Sequence, residues 1–214
     1  MPAIRLKHGT SRLDARYGGR AGWFGPRPSS FPSFDRKADD SKKRLHPGFT
    51  PNVVANVGNP RRDSRALRLA SGIADGLAVQ LGEAPAVAID LVDLPLQDGR
   101  FEPWLSELVQ FATVVIAASP TVMGSYAGLL KIFLDGLPEA ALLDKTGIPL
   151  MIARQARHAM AADIHLRPAL LEMGASCPTP SLVALESELA SLGSDGLVTA
   201  WLERSGSWLA GITA

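Results

Sequence analysis

An apolar run followed by a small polar loop and an amphipathic helix constrains the fold of this chain more than any other stretch. The run Thr113–Ala118 has the length and composition of a buried parallel strand. The loop Ser119–Ala127 contains proline and glycine, and apolar residues at helical spacing follow it. A strand, a loop and a helix in this order predict a ligand site at the carboxyl edge of an open α/β sheet.

Further strand-like and helical patterns alternate along the chain. The predicted strands are 52–57, 85–94, 113–118, 147–153 and 180–185, and the predicted helices are 64–81, 102–111, 127–137, 157–173 and 197–209. Because parallel strands need a covering crossover, this alternation predicts an α/β fold: a doubly wound five-stranded parallel sheet with helices on both faces. The commonest strand order, 2-1-3-4-5, places the loop after Val57 beside the loop after Ala118.

The first 51 residues differ from the rest in charge and composition. They contain 11 Lys and Arg against 4 Asp, whereas the remainder contains 11 basic against 17 acidic residues. Glycine, proline and serine dominate, and the aromatic residues follow no period. A basic arm for nucleic acid or an anionic surface, a targeting peptide, a disordered extension and a misplaced start codon are all compatible with this composition. We interpret residues 1–51 as a disordered extension and residues 52–214 as the functional domain, with no nucleic-acid or membrane partner.

The remaining composition excludes several classes of protein. A single cysteine, Cys177, excludes an intrachain disulfide and favours a reducing, cytoplasmic compartment. No apolar run approaches the roughly 20 residues of a membrane span. The four histidines do not cluster at metal-ligand spacing, and no H-E-x-x-H, C-x-x-C or G-x-S-x-G motif occurs. We therefore expect a soluble protein without a metal site.

Three predicted loops at the same sheet edge hold candidate binding residues. In Gly58–Arg65, Ser64 can cap the following helix, and Arg61 or Arg65 can bind a phosphate. An ordinary capped helix with solvated arginines is equally compatible with this loop. In the central loop, Gly124 lets the backbone approach a flat ligand. In the third loop, His158 either contacts a ligand or caps a helix. No acid/base pair accompanies the candidate binding residues, and this absence suits a reaction whose chemistry a cofactor performs.

From Asn52 to about Leu185 the chain resembles the NADPH-dependent FMN reductase family, flavodoxin-like flavin reductases such as those serving sulfonate utilisation. Gly58–Arg65 resembles the family's G-S-x-R-x-x-S phosphate loop, and Ser119–Asp135 resembles its S-P-x-Y-x-x-S-x-x-G-x-L-K-x-x-x-D block. His158–Ala175 resembles its H-A-x(n)-L-R-P-x-L-x-x-L-G-A helix. The resemblance implies a flavodoxin-like fold and a homodimer or homotetramer.

The resemblance also implies the activity and its residues. A hydride would pass from NADPH (or NADH) to FMN, and reduced FMN could be supplied to a two-component monooxygenase. No catalytic side chain is predicted, because the hydride transfer is cofactor-borne. The predicted cofactor-binding residues are Asn59, Arg61, Ser64, Arg65, Pro120, Thr121, Val122, Gly124, Ser125, Tyr126, Arg154 and Gln155. An FMN-bound enzyme that reduces quinones or azo compounds and a non-catalytic flavodoxin-like module remain alternatives.

The chain departs from the family pattern at three places. Val122 stands where an aromatic residue is usual, and Ala66 replaces a Ser, Thr or Asn that often contacts the phosphate. The segment 154–156, Arg-Gln-Ala, replaces a small Thr-Gly-Gly-type turn, so that Arg154 and Gln155 could crowd the flavin ring. Charge alone also allows Arg154 or Arg157 to favour the 2′-phosphate of NADPH.

Overall fold

The computed structural model describes residues 52–82 and 86–209, so the expectation for residues 1–51 lies outside the described residues. The strands are β1 (Val53–Val57), β2 (Val87–Asp90), β3 (Val114–Val122), β4 (Ser125–Tyr126), β5 (Thr146–Ala153) and β6 (Leu182–Leu185). The α-helices are α1 (Arg65–Gln80), α2 (Pro103–Phe111), α3 (Gly128–Asp135), α4 (Arg167–Glu172) and α5 (Glu186–Leu209). None of these helices is long and apolar enough to cross a membrane.

The sheet has the predicted doubly wound topology. Its parallel strands lie in the order β2-β1-β3-β5-β6, which is the predicted 2-1-3-4-5 in sequence order and is the order of the flavodoxin-like fold. The prediction of only five strands was incomplete. The third strand extends beyond Ala118 to Val122, and the two-residue strand β4 pairs antiparallel with this extension. This added hairpin stands at the carboxyl edge of the sheet.

Helices α1 and α5 cover one face of the sheet and pack closely on each other. Ser64 caps α1 as expected, accepting a hydrogen bond from the backbone N–H of Leu67 at 3.1 Å. A Cβ atom at Gly76 would lie 2.3 Å from a methyl group of Leu202, so the absence of a side chain lets the two helices approach. The buried cluster between them includes Ile73 and Trp201.

The prediction of one continuous helix from Arg157 through Met173 was wrong. The segment instead contains a 3₁₀ turn (Ala156–His158), a π-helical turn (Ala162–Leu166) and the short helix α4. Pro168 explains the interruption: it has no N–H to donate to the carbonyl four residues earlier, and its ring would collide with that carbonyl. The wider π turn directly before α4 accommodates this proline.

Arg167 anchors the π turn to the segment before β6. Its guanidinium donates to a carboxylate oxygen of Asp163 at 2.8 Å, to the carbonyls of Cys177 and Thr179, and to the Ser181 hydroxyl. Burial alone would raise the pKa of Asp163, but the hydrogen bonds from Ser181 and Arg167 hold it below its usual value. The L-R-P motif therefore has a structural role, which is to fix the helical segment that packs beside β4.

The end of the domain also differs from the expectation. A helix was predicted for 197–209, whereas helical structure begins directly after β6 at Glu186. Gly193, with φ 69° and ψ 175°, divides α5 into two helical pieces. Glu188 stabilises the first piece, because its carboxylate accepts a hydrogen bond from the backbone N–H of Leu185 at 2.8 Å.

Asp75 on α1 makes stability depend on pH. Burial raises the pKa of Asp75 from 3.8 to about 6, so the folded state favours the protonated carboxyl and loses stability as pH rises from about 4 through 6. We expect Asp75→Asn to remove this loss. Because the group is partly solvated, the gain at pH 8 is about 1 kcal/mol, or about 2–4 °C in Tm, and it disappears at pH 4.

The measurement is thermal unfolding from pH 4 to pH 8, with Asp195→Asn on the exposed surface of α5 as the matched control. An Asp75→Asn variant whose Tm difference from the wild type is the same at both ends of this range would contradict the assignment.

Candidate functional site

Three loops meet where the central strands end. The register aligns Val57 with Ala118 and Pro120 with Ile152, so β1, β3 and β5 finish at the same edge. The backbone N–H of Gly58 donates to the carbonyl of Ala118 at 2.8 Å, which joins the first loop to β3. The predicted meeting of these loops is confirmed.

Gly58 allows the first loop to lie directly against helix α3. A Cβ atom at this position would lie 2.3 Å from the Cβ of Leu130 and 2.6 Å from its backbone N and Cα. Backbone atoms cannot move aside as a flexible side chain can, so only glycine fits. The first loop and the start of α3 are therefore held in fixed contact.

This contact predicts a contrast between two glycines. We expect Gly58→Ala to destabilise the domain by about 1–3 kcal/mol, because the added methyl group overpacks against the backbone of Leu130. The Tm should fall by about 2–12 °C. Gly128→Ala is the matched control: no atom of the described residues lies within 4 Å of where its methyl group would stand, and alanine favours the first turn of α3.

Thermal unfolding followed by circular dichroism gives both values. Equal Tm values for Gly58→Ala and the wild type would show that the first loop can move away from Leu130.

Ser119 closes the central loop, a role that sequence reasoning did not give it. Its side chain is fully buried, donates to the carbonyl of Pro120 at 2.9 Å and accepts the backbone N–H of Ala127 at 2.8 Å. Ala127 is the N-cap residue of α3 and has no side-chain cap of its own. Ser119 therefore ties the two ends of the hairpin together, and the Ser-Pro pair at the end of the apolar run was the signal for it.

The central loop itself is a tight β-hairpin. Met123 and Gly124 form its turn with φ values of 49° and 81°, and two positive values are typical of a type I′ turn. Met123 is 100% exposed and Val122 is 43% exposed, so the tip presents an apolar surface at the rim. Gly124 faces open space, whereas Ser125 lies in β4 and does not cap α3.

The base of the hairpin holds a buried polar group. The Thr121 hydroxyl oxygen is buried and has no hydrogen-bond partner among the described residues. Pro120, which precedes Thr121, is half-buried. Tyr126, which pairs with Thr121 across the hairpin, is also half-buried. Burial raises the pKa of the Tyr126 phenol, against a smaller lowering by Lys131, so its hydroxyl remains a hydrogen-bond donor at neutral pH.

The four arginines of the first loop and the first turn of α1 have different partners. Arg62 pairs with Asp93 at 3.2 Å, Arg65 pairs with Glu186 at 2.7 Å, and Arg68 donates to the backbone carbonyl of Asp63. Of the two arginines predicted to bind phosphate, Arg65 is thus engaged by a carboxylate. Arg61 is exposed and has no acidic partner in the part of the chain that the structure describes.

The backbone of the first loop is shaped for an anion. The Asn59 side chain accepts the backbone N–H of Arg61 at 3.0 Å, which bends the loop toward the N-terminus of α1. Ser64 uses its hydroxyl for the cap, so the other N–H groups of the first turn are left for a ligand or solvent. Positive helix-terminus charge and the Arg61 guanidinium together favour a phosphate.

Asp90 is a further titratable group near this loop, and sequence reasoning missed it. It ends β2 opposite Val57, and its side chain is buried. Burial and then the neighbouring Asp93 carboxylate raise its pKa to about 6, while Arg62 lowers it. The Asp93 and Asp90 carboxylates therefore offset part of the positive charge of Arg62.

The third loop is exposed after the end of β5. Arg154 and Gln155 follow β5 directly, and both are exposed. Arg157 is also exposed and donates from Nε to Nε2 of His158 at 3.3 Å. His158 thus lies in the 3₁₀ turn beside an arginine, with no serine or carboxylate partner among the described residues.

Comparison with known proteins assigns the chain to a family. A sequence model of the family described as NADPH-dependent FMN reductase matches residues 51–189, which is more than half of the 214-residue chain. The chain therefore belongs to the NADPH-dependent FMN reductase family. The match begins where the ordered α/β pattern begins and covers all three loops.

Individual relatives agree with this assignment. An FMN reductase (NADPH) of Escherichia coli strain K12 is 32% identical over 127 residues, and one of Pseudomonas putida strain KT2440 is 31% identical over 111 residues. These matches cover 55% and 49% of this chain, but only 64% and 56% of the length of the relatives. The apo crystal structure of the NADH:FMN oxidoreductase EMOB is 27% identical with a TM-score of 0.66, and the match covers 74% of this chain and 88% of that chain.

Proposed function

We propose that residues 52–214 bind FMN at the carboxyl edge of the sheet and reduce it with a hydride from NADPH or NADH. The observation that carries the proposal is the convergence of the loops after β1, β3 and β5 at one edge of the sheet, where the N-terminus of α1 and the exposed Arg61 side chain also lie. Helix N-termini at the switch point of an open α/β sheet favour phosphorylated ligands, and an unpaired guanidinium adds to this preference. Membership of the family gives that ligand its chemical class.

The residues present fit such a flavin. The N-terminus of α1, with Asn59, Arg61 and Ser64, would hold the phosphate by backbone N–H groups and one free guanidinium. The hairpin residues, with open space at Gly124, would lie along the flat ring. When bound, the flavin supplies the hydride chemistry itself, and the chain contributes binding, orientation and exclusion of water.

The direct test is oxidation of NADPH by the purified full-length chain, followed by absorbance with and without added FMN. We expect turnover that depends on FMN, and the same turnover by a chain that begins at Asn52, because every residue proposed for the site follows Asn52 in the sequence. Flavin that binds tightly without turnover would instead favour reduction of another acceptor or a non-catalytic module. Neither binding nor turnover would refute the proposal.

Thr121→Val separates ligand binding from folding. The valine keeps the shape of threonine and removes the buried hydroxyl, so we expect the flavin-free protein to gain up to about 1 kcal/mol in stability. FMN affinity should stay within about 2-fold of the wild-type value, because the protein itself covers the hydroxyl. A loss of FMN affinity of about 10-fold would show instead that the hydroxyl contacts the flavin.

The measurements are thermal unfolding without flavin and titration of FMN by fluorescence quenching. Thr113→Val is the matched control, since Thr113 is exposed at the opposite edge of the sheet and its hydroxyl donates to Oδ1 of Asn52 at 3.4 Å, away from the proposed site.

The proposal also includes a partner protein, an oligomeric state and a cellular location. The exposed rim around Val122 and Gly124 supports release of reduced FMN to a two-component monooxygenase. Exposed apolar side chains support a homodimer or homotetramer; they include Ile132, Met160, Ile164 and Leu171. The single half-buried Cys177 and the reduced coenzymes support a cytoplasmic location.

A further inference from the structure

The arginines at the carboxyl edge divide into those that are occupied and those that are available. Arg62 and Arg65 form ion pairs with Asp93 and Glu186, and Arg68 bonds to a backbone carbonyl. Among the described residues, the arginines of the first and third loops that have no acidic partner are Arg61, Arg154 and Arg157. The available arginines attract an anionic ligand more strongly, because no neighbouring carboxylate offsets their charge.

The available arginines form two separate groups. Arg61 belongs to the loop after β1, whereas Arg154 and Arg157 follow β5, two strands away in the sheet. At about 4.8 Å between neighbouring strands, the two strand ends are about 10 Å apart. The chain also leaves β1 toward α1 on one face, and leaves β5 toward the π turn and α4 on the other. One phosphate bound at the N-terminus of α1 therefore does not use the second group.

We infer that Arg154 and Arg157 form a second anion subsite, which binds the 2′-phosphate of NADPH and selects it over NADH. This inference rests on the proposed function, which brings a nicotinamide coenzyme to this edge. NADPH and NADH differ only in that phosphate, which carries between one and two negative charges at neutral pH. Family membership does not decide the coenzyme, since the similar proteins include NADPH-dependent and NADH-dependent reductases.

The geometry of the third loop suits a phosphomonoester. Arg157 uses Nε for the contact with His158, which leaves its two terminal nitrogens free to donate to phosphate oxygens. Arg154 lies three residues before Arg157 and is separated by Gln155 from the 3₁₀ turn that contains Arg157. Both side chains are exposed, so a coenzyme can reach them from solvent.

The kinetic test compares NADPH and NADH as hydride donors to FMN, using the full-length chain. We expect wild-type kcat/KM to favour NADPH. Arg154→Gln and Arg157→Gln should each lower kcat/KM for NADPH by about 10- to 100-fold, since hydrogen bonds between charged groups are the strong ones. The value for NADH should change far less, so the preference ratio falls.

Two control variants isolate the effect. Arg61→Gln should weaken FMN binding without changing the ratio of NADPH to NADH efficiency, because Arg61 lies in the other group. Arg204→Gln, on the exposed surface of α5, should change neither quantity. A wild-type preference for NADH, or a double Arg154→Gln/Arg157→Gln variant that keeps the wild-type ratio, would overturn the inference while leaving the reductase proposal intact.

A binding measurement keeps the inference testable without turnover. Isothermal titration of the flavin-free protein with 2′,5′-ADP and with 5′-AMP isolates the contribution of the 2′-phosphate. We expect 2′,5′-ADP to bind at least about 10-fold more tightly, and the double variant to lose this difference. Equal affinities would overturn the subsite even in a protein with no FMN reductase activity.

Discussion

The contact between Gly58 and Leu130 is the constraint on which the rest of the site depends. With backbone atoms of Leu130 only 2.6 Å from where a Cβ would lie, the first loop has a single position relative to α3. Ser119 then fixes the start of α3 to the end of β3 by accepting the N–H of Ala127. The helix N-terminus of α1, the hairpin and the edge of the sheet are thereby held as one unit, so that a ligand meets a preformed surface.

The hairpin has one strained residue, Met123, at its exposed tip. A methionine with positive φ is uncommon, and it is tolerated here because Gly124 adopts the second positive φ without strain and β4 pairs with the end of β3. The Arg167 network supports the same region from behind, since it fixes the π turn that packs beside β4. Rigid support therefore surrounds a tip whose side chains remain exposed.

Local patterns were sufficient for the strand order and for the Ser64 cap, because each depends on residues close in sequence and on a rule about crossovers. The hairpin was missed because β4 is two residues long and its turn begins with methionine rather than asparagine or aspartate. Apolar spacing alone predicts a continuous helix over 157–173, but Pro168 interrupts the helical hydrogen bonds within it. Both misses arose where backbone geometry overrides hydrophobic periodicity.

The charge of the site could not be predicted for a different reason. Arg61 and Arg65 are indistinguishable as residues of one basic loop, yet Arg65 is paired with Glu186, which lies 121 positions further along the chain. Such a long-range ion pair offsets a positive charge that would otherwise attract the ligand, and the amino-acid composition of the loop does not reveal it. The positive charge available to a phosphate at this edge therefore depends on which acidic residues the fold places beside the arginines. Arg154 and Arg157 remain available to a phosphate because neither has an acidic partner among the described residues.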